Sequence, residues 1–389
     1  RPVISEIVAP QSGLALNWVG NVSAASEFEL GFLRVGTLAE RTADLGDVVL
    51  KGELLARLDA SDLDAEVRAA QAGEHIAAAS VATAEDADRR ARALVERGVD
   101  SSAAAETTAN NLAAARAALA AEYRFNWQHE CFSKPTVSLI DGMVMGSGVG
   151  LTSYGTHRVA GPAYRFSMPE VRIGFFPDVG TCWLLSRMPE SLGMYLALTG
   201  EGVGPADAFH LGLVTHVLPE ARVAEVVAHV ADADPVDPIL DAWHANPGEG
   251  PLLGAAPVIA RCFSAPTVGE IRQRLASVSG AGQEVAARAL ARMGQASPLA
   301  LEITHRAVTL AQGLDLRQTL EQDYRIASRL IVEPDFLEGV RARLVDKDGE
   351  PRWRHGADGD GARAEVDAFF APVAEGELAL PSRAAMQTR

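Results

Sequence analysis

Two carboxylates eight residues apart, Glu170 and Asp178, follow a run of closely spaced glycines, Gly146, Gly148 and Gly150, around Ser147. These are the residues whose types and spacing could do chemistry. A glycine-rich turn lets backbone N–H groups approach a developing negative charge. A pair of carboxyl groups can serve as acid, base or nucleophile. Together they make an acyl-transfer toolkit: an anion-holding backbone beside a base. Read alone, each part also has an ordinary explanation. The glycines could form a packing turn, and Asp178, standing before Val-Gly-Thr-Cys-Trp-Leu-Leu, could cap a helix.

The elements around these residues place them in a pocket. Residues 136–140 are an apolar run of the length expected for a buried parallel strand. The helix starting near Gly148 offers free N–H groups to an anion. A second extended run, 164–168, ends at Pro169, which leaves Glu170 at a strand end. Downstream, 219–295 reads as Ala-rich helical scaffold, Ser297-Pro298 opens a helix, and 315–330 forms another. Upstream, 14–59 alternates short β-like runs with turns, and 54–58 reads as a strand. From 62 to 97 the chain is an alanine-filled helical stripe, broken at 98–101. A second helix, capped by Asp100 or Ser101, then runs through Leu112 and Leu119. Two such helices joined by a short break form an antiparallel hairpin.

The chain has 389 residues, 48% of them hydrophobic, and a net charge of −16. That length allows two or three domains and a sizeable core. The charge argues against nucleic acid or an anionic membrane as partner, while local basic residues can still hold the phosphates of a small ligand. Cys131, Cys182 and Cys262 are far apart and match no metal spacing; reduced thiols in the cytoplasm are the expectation. No apolar run reaches the roughly 18 residues of a membrane helix, so no membrane insertion is expected. The histidines His157, His210 and His216 show no metal spacing.

From about residue 122 the chain resembles the crotonase superfamily, and within it the 3-hydroxyisobutyryl-CoA hydrolases. The motifs are KPTVSLIDGMVMGSGVGL, FSMPEVRIGFFPDVG, LALTGEGVGPADAFHLGLVTHVLP and, marking the hydrolase branch, DFLEGVRARLVDKDGEPRW. The resemblance implies an α/β fold, the crotonase ββα superhelix, lacking its N-terminal strands. It implies that Glu170 and Asp178 are the catalytic pair and that the backbone N–H of Ser147 holds the oxyanion. It also implies that Glu122, Gly146 and Gly148 face the substrate. Hydratases of the superfamily carry a glutamate where this chain has Gly150, so thioester hydrolysis is expected over hydration. An enoyl-CoA hydratase or isomerase is the alternative. The partner is a small-molecule acyl-CoA. No separate cofactor is expected, because coenzyme A arrives within the substrate, and a homo-oligomer is compatible with the family.

The first third resembles a different family, the periplasmic adaptor (membrane fusion) subunits of efflux pumps. The segment ELGFLRVGTLAERTADLGDVVLKGELLARLD is similar to half of their lipoyl-like module, and a hairpin with Arg90, Leu94 and Ser101 at its tip follows. The resulting division is 1–61, a partial lipoyl-like β module; 62–121, an α-hairpin; and 122–389, the acyl-CoA hydrolase part. The two resemblances meet near residues 120–122, as in a join between unrelated genes. An adaptor fragment is the alternative function of a different class. The superfamily's second oxyanion motif, phenylalanine-cysteine-alanine-glycine-glycine-aspartate-like, has no counterpart in this sequence. Low or no activity is therefore expected.

Overall fold

A computed structural model describes residues 38–43, 47–50, 53–58, 102–231, 235–354, 362–374 and 376–387. The outgoing helix expected over 62–97, and the hairpin tip, lie outside these residues. The chain divides into two compact units, residues 1–68 and 69–389.

In the first unit, strands β1 (Leu38–Arg41) and β2 (Ala56–Leu58) pair antiparallel, with Leu38 opposite Leu58 and Arg41 opposite Ala56. Arg57 donates to Glu40 across the pair at 2.6 Å. None of the described residues here is buried, and Val48 is 91% exposed. A lone two-stranded pair of this kind has no core of its own.

The second unit holds the core. It opens on one long helix, α1 (Ser102–Cys131), which runs unbroken through residues 121 and 122. Leu119, Ala120, Tyr123, Trp127 and Cys131 line its inner face, at the i, i+3, i+4 spacing of a docked helix. The docked stripe reaches upstream of residue 122: Arg116 reaches the carbonyl of Ser328 at 3.5 Å.

Beyond α1 the strands are short and parallel. Strand β3 (Val137–Ile140) pairs with β5 (His157–Ala160), and β5 with β7 (His216–Val217). Strand β4 (Met143–Val144) pairs with β6 (Arg165–Phe166). Helix α2 (Ser147–Thr152) lies in the connection between β4 and β5, as parallel pairing requires a crossover. The helices α3 (Thr181–Ser186) and α4 (Leu192–Thr199) follow. Every residue of α4 is buried, which explains why it is apolar all round.

The later helices start where the sequence places caps. Ser297 accepts from the N–H of Ala300 at the start of α5 (Pro298–Ala311). Asp315 and Gln318 form a capping box on α6 (Leu316–Leu330). Helix α6 packs along α1, and α5 packs on α3 and α4. Helix α7 (Pro334–Val340) closes the far side of the turn that carries Glu170. This is the helix-rich α/β arrangement of the crotonase fold expected from the motifs. Among the described residues no helix is long and apolar enough to cross a membrane.

Candidate active site

Glu170 sits on a tight turn. After β6 the chain passes Pro169 into a 3-10 turn, Glu170–Ile173, which Gly174 ends in the left-handed region at φ 72°. The turn rests on α7 with no side chains between the backbones. A Cβ on Gly174 would lie 2.5 Å from the carbonyl oxygen of Asp335, and one on Gly339 would lie 2.3 Å from the carbonyl carbon of Ile173. Ser297 ties the two together. Its N–H donates to the carbonyl of Val171 at 3.0 Å, and its hydroxyl to Asp335 Oδ2 at 2.6 Å. The start of the 335–353 segment thus builds the floor under Glu170. The carboxyl above is 8% exposed, and its Oε2 has no hydrogen-bond partner among the described residues. Oε1 lies 3.6 Å from the place a Cβ on Gly146 would take. Burial, and then the charge of Asp178, hold the Glu170 carboxyl well above its ordinary range.

Asp178 stands on a corner of another kind. Val179 adopts φ 52° and Gly180 φ 79°. A β-branched residue in the left-handed region costs of order 1–3 kcal/mol, so the surroundings must impose it. Tyr154 donates its hydroxyl to the carbonyl of Val179 at 2.5 Å. The N–H of Gly180 donates to Asp323 Oδ2 at 2.7 Å. Tyr123 donates to Asp178 Oδ2 at 2.7 Å. Asp178 is not a side-chain cap: Gly180 occupies the N-cap of α3. Burial pushes the Asp178 carboxyl up to about 7; the Tyr123 hydroxyl acts against that rise, and the nearby charge of Glu122 adds to it. Two carboxyls in one buried place resist ionising together. The Tyr123 hydroxyl favours the ionised form of Asp178.

The glycine run supplies a free donor. Gly146 turns the chain at φ 51°. The N–H groups of Gly148 and Val149 bond to the carbonyls of Met145 and Gly146. The N–H of Ser147, first residue of α2, has no protein acceptor among the described residues. It lies beside the corner that faces Glu170. The helix begins at Ser147, one residue earlier than the sequence reading placed it.

A side chain at Gly150 would make a contact that the sequence does not reveal. A Cβ there would lie 2.4 Å from Nδ2 of Asn126 and 3.0 Å from Cβ of Val179. Asn126 is 1% exposed, and its Oδ1 has no partner among the described residues. The carboxamide thus fills the space a side chain at 150 would need. Glu122, one helical turn before Asn126, is half-buried, and its charge is felt by Asp178 and Tyr123.

The structure therefore brings Gly146, Ser147 and Glu170 together, with Asp178 coupled electrostatically to Glu170 and Gly148 on the first turn of α2. Sequence reasoning missed Tyr123, Asn126, Tyr154 and Asp323. The signal for the first two was a polar and aromatic stripe, Tyr123, Asn126 and Trp127, at helical spacing in an alanine-rich helix. His157 and His216 pair with Asp237 and Asp241 at 3.0 and 3.2 Å. Among the described residues no group of three or more His, Cys, Asp or Glu side chains is placed to hold a metal ion.

Comparison with known proteins agrees with this fold. The enoyl-CoA hydratase/isomerase family profile matches residues 68–370. That match begins inside the segment whose sequence resembles an adaptor hairpin. 3-Hydroxyisobutyryl-CoA hydrolase 1 of Arabidopsis thaliana is 35% identical over 276 residues, covering 67% of this chain and 72% of the relative. The small ribosomal subunit protein mS47 of the same plant is 33% identical, covering 67% and 68%. The crystal structure of a carnitinyl-CoA dehydratase from Mycobacterium thermoresistibile superposes with a TM-score of 0.64 at 38% identity, over 68% of this chain and 76% of that one. With its strands, its glycine corner and its two carboxylate turns arranged in this way, the chain belongs to the enoyl-CoA hydratase/isomerase family.

Proposed function

We propose that this chain hydrolyses the thioester of 3-hydroxyisobutyryl-CoA, giving 3-hydroxyisobutyrate and free CoA, a step of valine breakdown. The observation that carries the reading is the arrangement at residue 150. Adding water across a double bond calls for an acid/base group on α2 as well as on the Glu170 turn, and Asn126 fills the space where it would stand. Thioester hydrolysis needs one carboxylate and an oxyanion donor, for which Glu170 and the Ser147 N–H are the candidates.

In this reaction the thioester carbonyl oxygen turns towards Ser147 and takes up negative charge. The C–S bond breaks, and the CoA thiolate leaves and takes a proton. Glu170 either receives the attacking water's proton or attacks the carbonyl itself. Direct attack expels the CoA thiolate and leaves an anhydride between Glu170 and the acyl group, which water must then open; label found in Glu170 after a single turnover in heavy-oxygen water marks this route with opening at the Glu170 carbonyl. Asp178 orients Glu170 and the substrate hydroxyl, and Glu122 lines the same side. The second oxyanion motif has no counterpart in the sequence, and loss of one such donor lowers rates about 10²–10³-fold. Turnover is accordingly slow. The reading puts this reaction in the cytoplasm, and three buried free cysteines are compatible with a reducing compartment.

The test is release of free thiol from 3-hydroxyisobutyryl-CoA by the purified chain. Slow release that disappears in Glu170→Gln is expected. Hydration of crotonyl-CoA, followed by absorbance, without thiol release would replace hydrolysis by the hydratase reading. A folded protein with neither activity would sink both.

A further inference from the structure

Asp323 is a buried acid that the proposed reaction does not use. It lies on the inner stripe of α6, among Leu316, Thr319, Leu320, Ile326 and Ala327, and is 0% exposed. Spacing alone would put an apolar side chain there, completing the stripe. The acid instead meets the Asp178 corner. Its Oδ2 accepts the N–H of Gly180 at 2.7 Å, while Oδ1 has no partner among the described residues. From the opposite side Tyr154 holds the carbonyl of Val179. The peptide unit between Val179 and Gly180 is thus gripped at both ends, its C=O by a phenol and its N–H by a carboxyl. This is the stretch where Val179 takes its unfavourable φ of 52°. A Cβ on Gly180 would collide with Leu316 and with the Tyr154 hydroxyl, each at 2.5 Å, so the corner has no room to settle differently while both grips hold.

We propose that Asp323 is a positioning residue for the reaction: through the Gly180 N–H it holds the Val179–Gly180 corner that presents Asp178. The inference rests on the reading of Asp178 as part of the catalytic pair. A carboxyl oxygen accepts an N–H whether the acid is ionised or protonated, and a carboxamide oxygen accepts it as well. The grip therefore needs the oxygen and not the charge.

The experiment compares four proteins on the acyl-CoA thioester: parent, Asp178→Asn, Asp323→Asn and Asp323→Ala, each assayed well below its own melting temperature. Asp323→Ala is expected to lower kcat by about tenfold to a hundredfold with KM within about twofold, the signature of misplaced machinery. Asp323→Asn is expected to stay within about threefold of the parent, because it keeps the acceptor. Parent-like kcat in Asp323→Ala, or an equal loss in Asp323→Asn, overturns the proposal. If the alanine variant does not fold, Tyr154→Phe, which frees the other end of the same peptide unit, takes its place. A drop of about tenfold in kcat supports the grip, and an unchanged kcat overturns it. A parent-like rate in Asp178→Asn would break the catalytic reading itself. An inactive Asp178→Asn beside an active Asp323→Ala would break only the positioning role. If the parent turns over too slowly to measure, crystal structures of the Asp323 variants decide. Val179 should leave the left-handed region in Asp323→Ala and keep it in Asp323→Asn, and an unchanged φ in both overturns the proposal.

Discussion

Glu170 and Asp178 are neighbours in sequence but are held by opposite means. The Glu170 turn is fixed by shape: backbone lies on backbone, with glycines at both closest points. The Asp178 corner is fixed by bonds: two tyrosine hydroxyls and one buried carboxyl, drawn from three separate elements, hold a strained backbone in place. The first arrangement, tied across by Ser297, fails on an added methyl group at either glycine. The second is close-packed as well, at Gly180, but it depends on its bonded partners and fails when one of them is removed. One carboxyl thus has a seat set mainly by backbone contact, and the other a seat set mainly by hydrogen bonds.

Four measurements sharpen or break this contrast. The largest effect belongs to the chemistry. Glu170→Gln should cost about 10²–10⁴ in kcat, the usual contribution of a positioned acid/base group, and a loss below tenfold would remove Glu170 from the reaction. Next is the shape-fixed seat. Gly339→Ala places a methyl against the Ile173 carbonyl, and overpacking of this kind costs about 1–3 kcal/mol. Denaturant unfolding should show that loss, and kcat should fall with it; a neutral result would mean that α7 yields freely.

The third measurement is the effect of pH on the bonded seat. Asp178 titrates at about 7 in the folded chain against an ordinary 3.8. The folded state therefore holds the proton more tightly than the unfolded state, so stability present at low pH is lost as pH rises through this window. Asp178→Asn carries no such proton. Its stability relative to the parent should rise between about pH 4 and pH 7, by about 1.4 kcal/mol per pH unit at most, and level off above. An advantage that shrinks instead would show that the buried carboxyl is not raised. The smallest effect is expected from Tyr123→Phe, about 1 kcal/mol for one hydrogen bond. With its donor gone, Asp178 should titrate still higher, moving the same stability profile towards alkaline pH.

The sequence made one class of feature legible and hid another. Elements defined by local spacing were readable: the strand before the glycine run, the helices beginning at 297–298 and near 315, and the place of Glu170 after an extended run and a proline. The candidate site was readable as far as its residues lie within one stretch, 146–178. What holds them there was not. Gly150 could be seen as the lack of an acid, but its cause, Asn126, lies 24 residues earlier and meets it only after two helices pack. Asp323 stands 143 residues from the N–H it accepts. It was visible as a charge on an apolar stripe, yet nothing in its neighbours names a partner. The proposed domain boundary near 121 followed a change in sequence texture, whereas α1 crosses that point as a single helix whose inner face docks on both sides.

That helix also acts as a ruler. Arg116 and Leu119 set its upstream face, while Tyr123 and Asn126 set the face that reaches the site. A single residue inserted between Leu119 and Tyr123 would rotate one set by about 100° relative to the other, and the rod could then satisfy only one of them. Length variation in this stretch should therefore be penalised far more than substitution, and among insertions those of about seven residues, two full turns, should do the least harm to the facing.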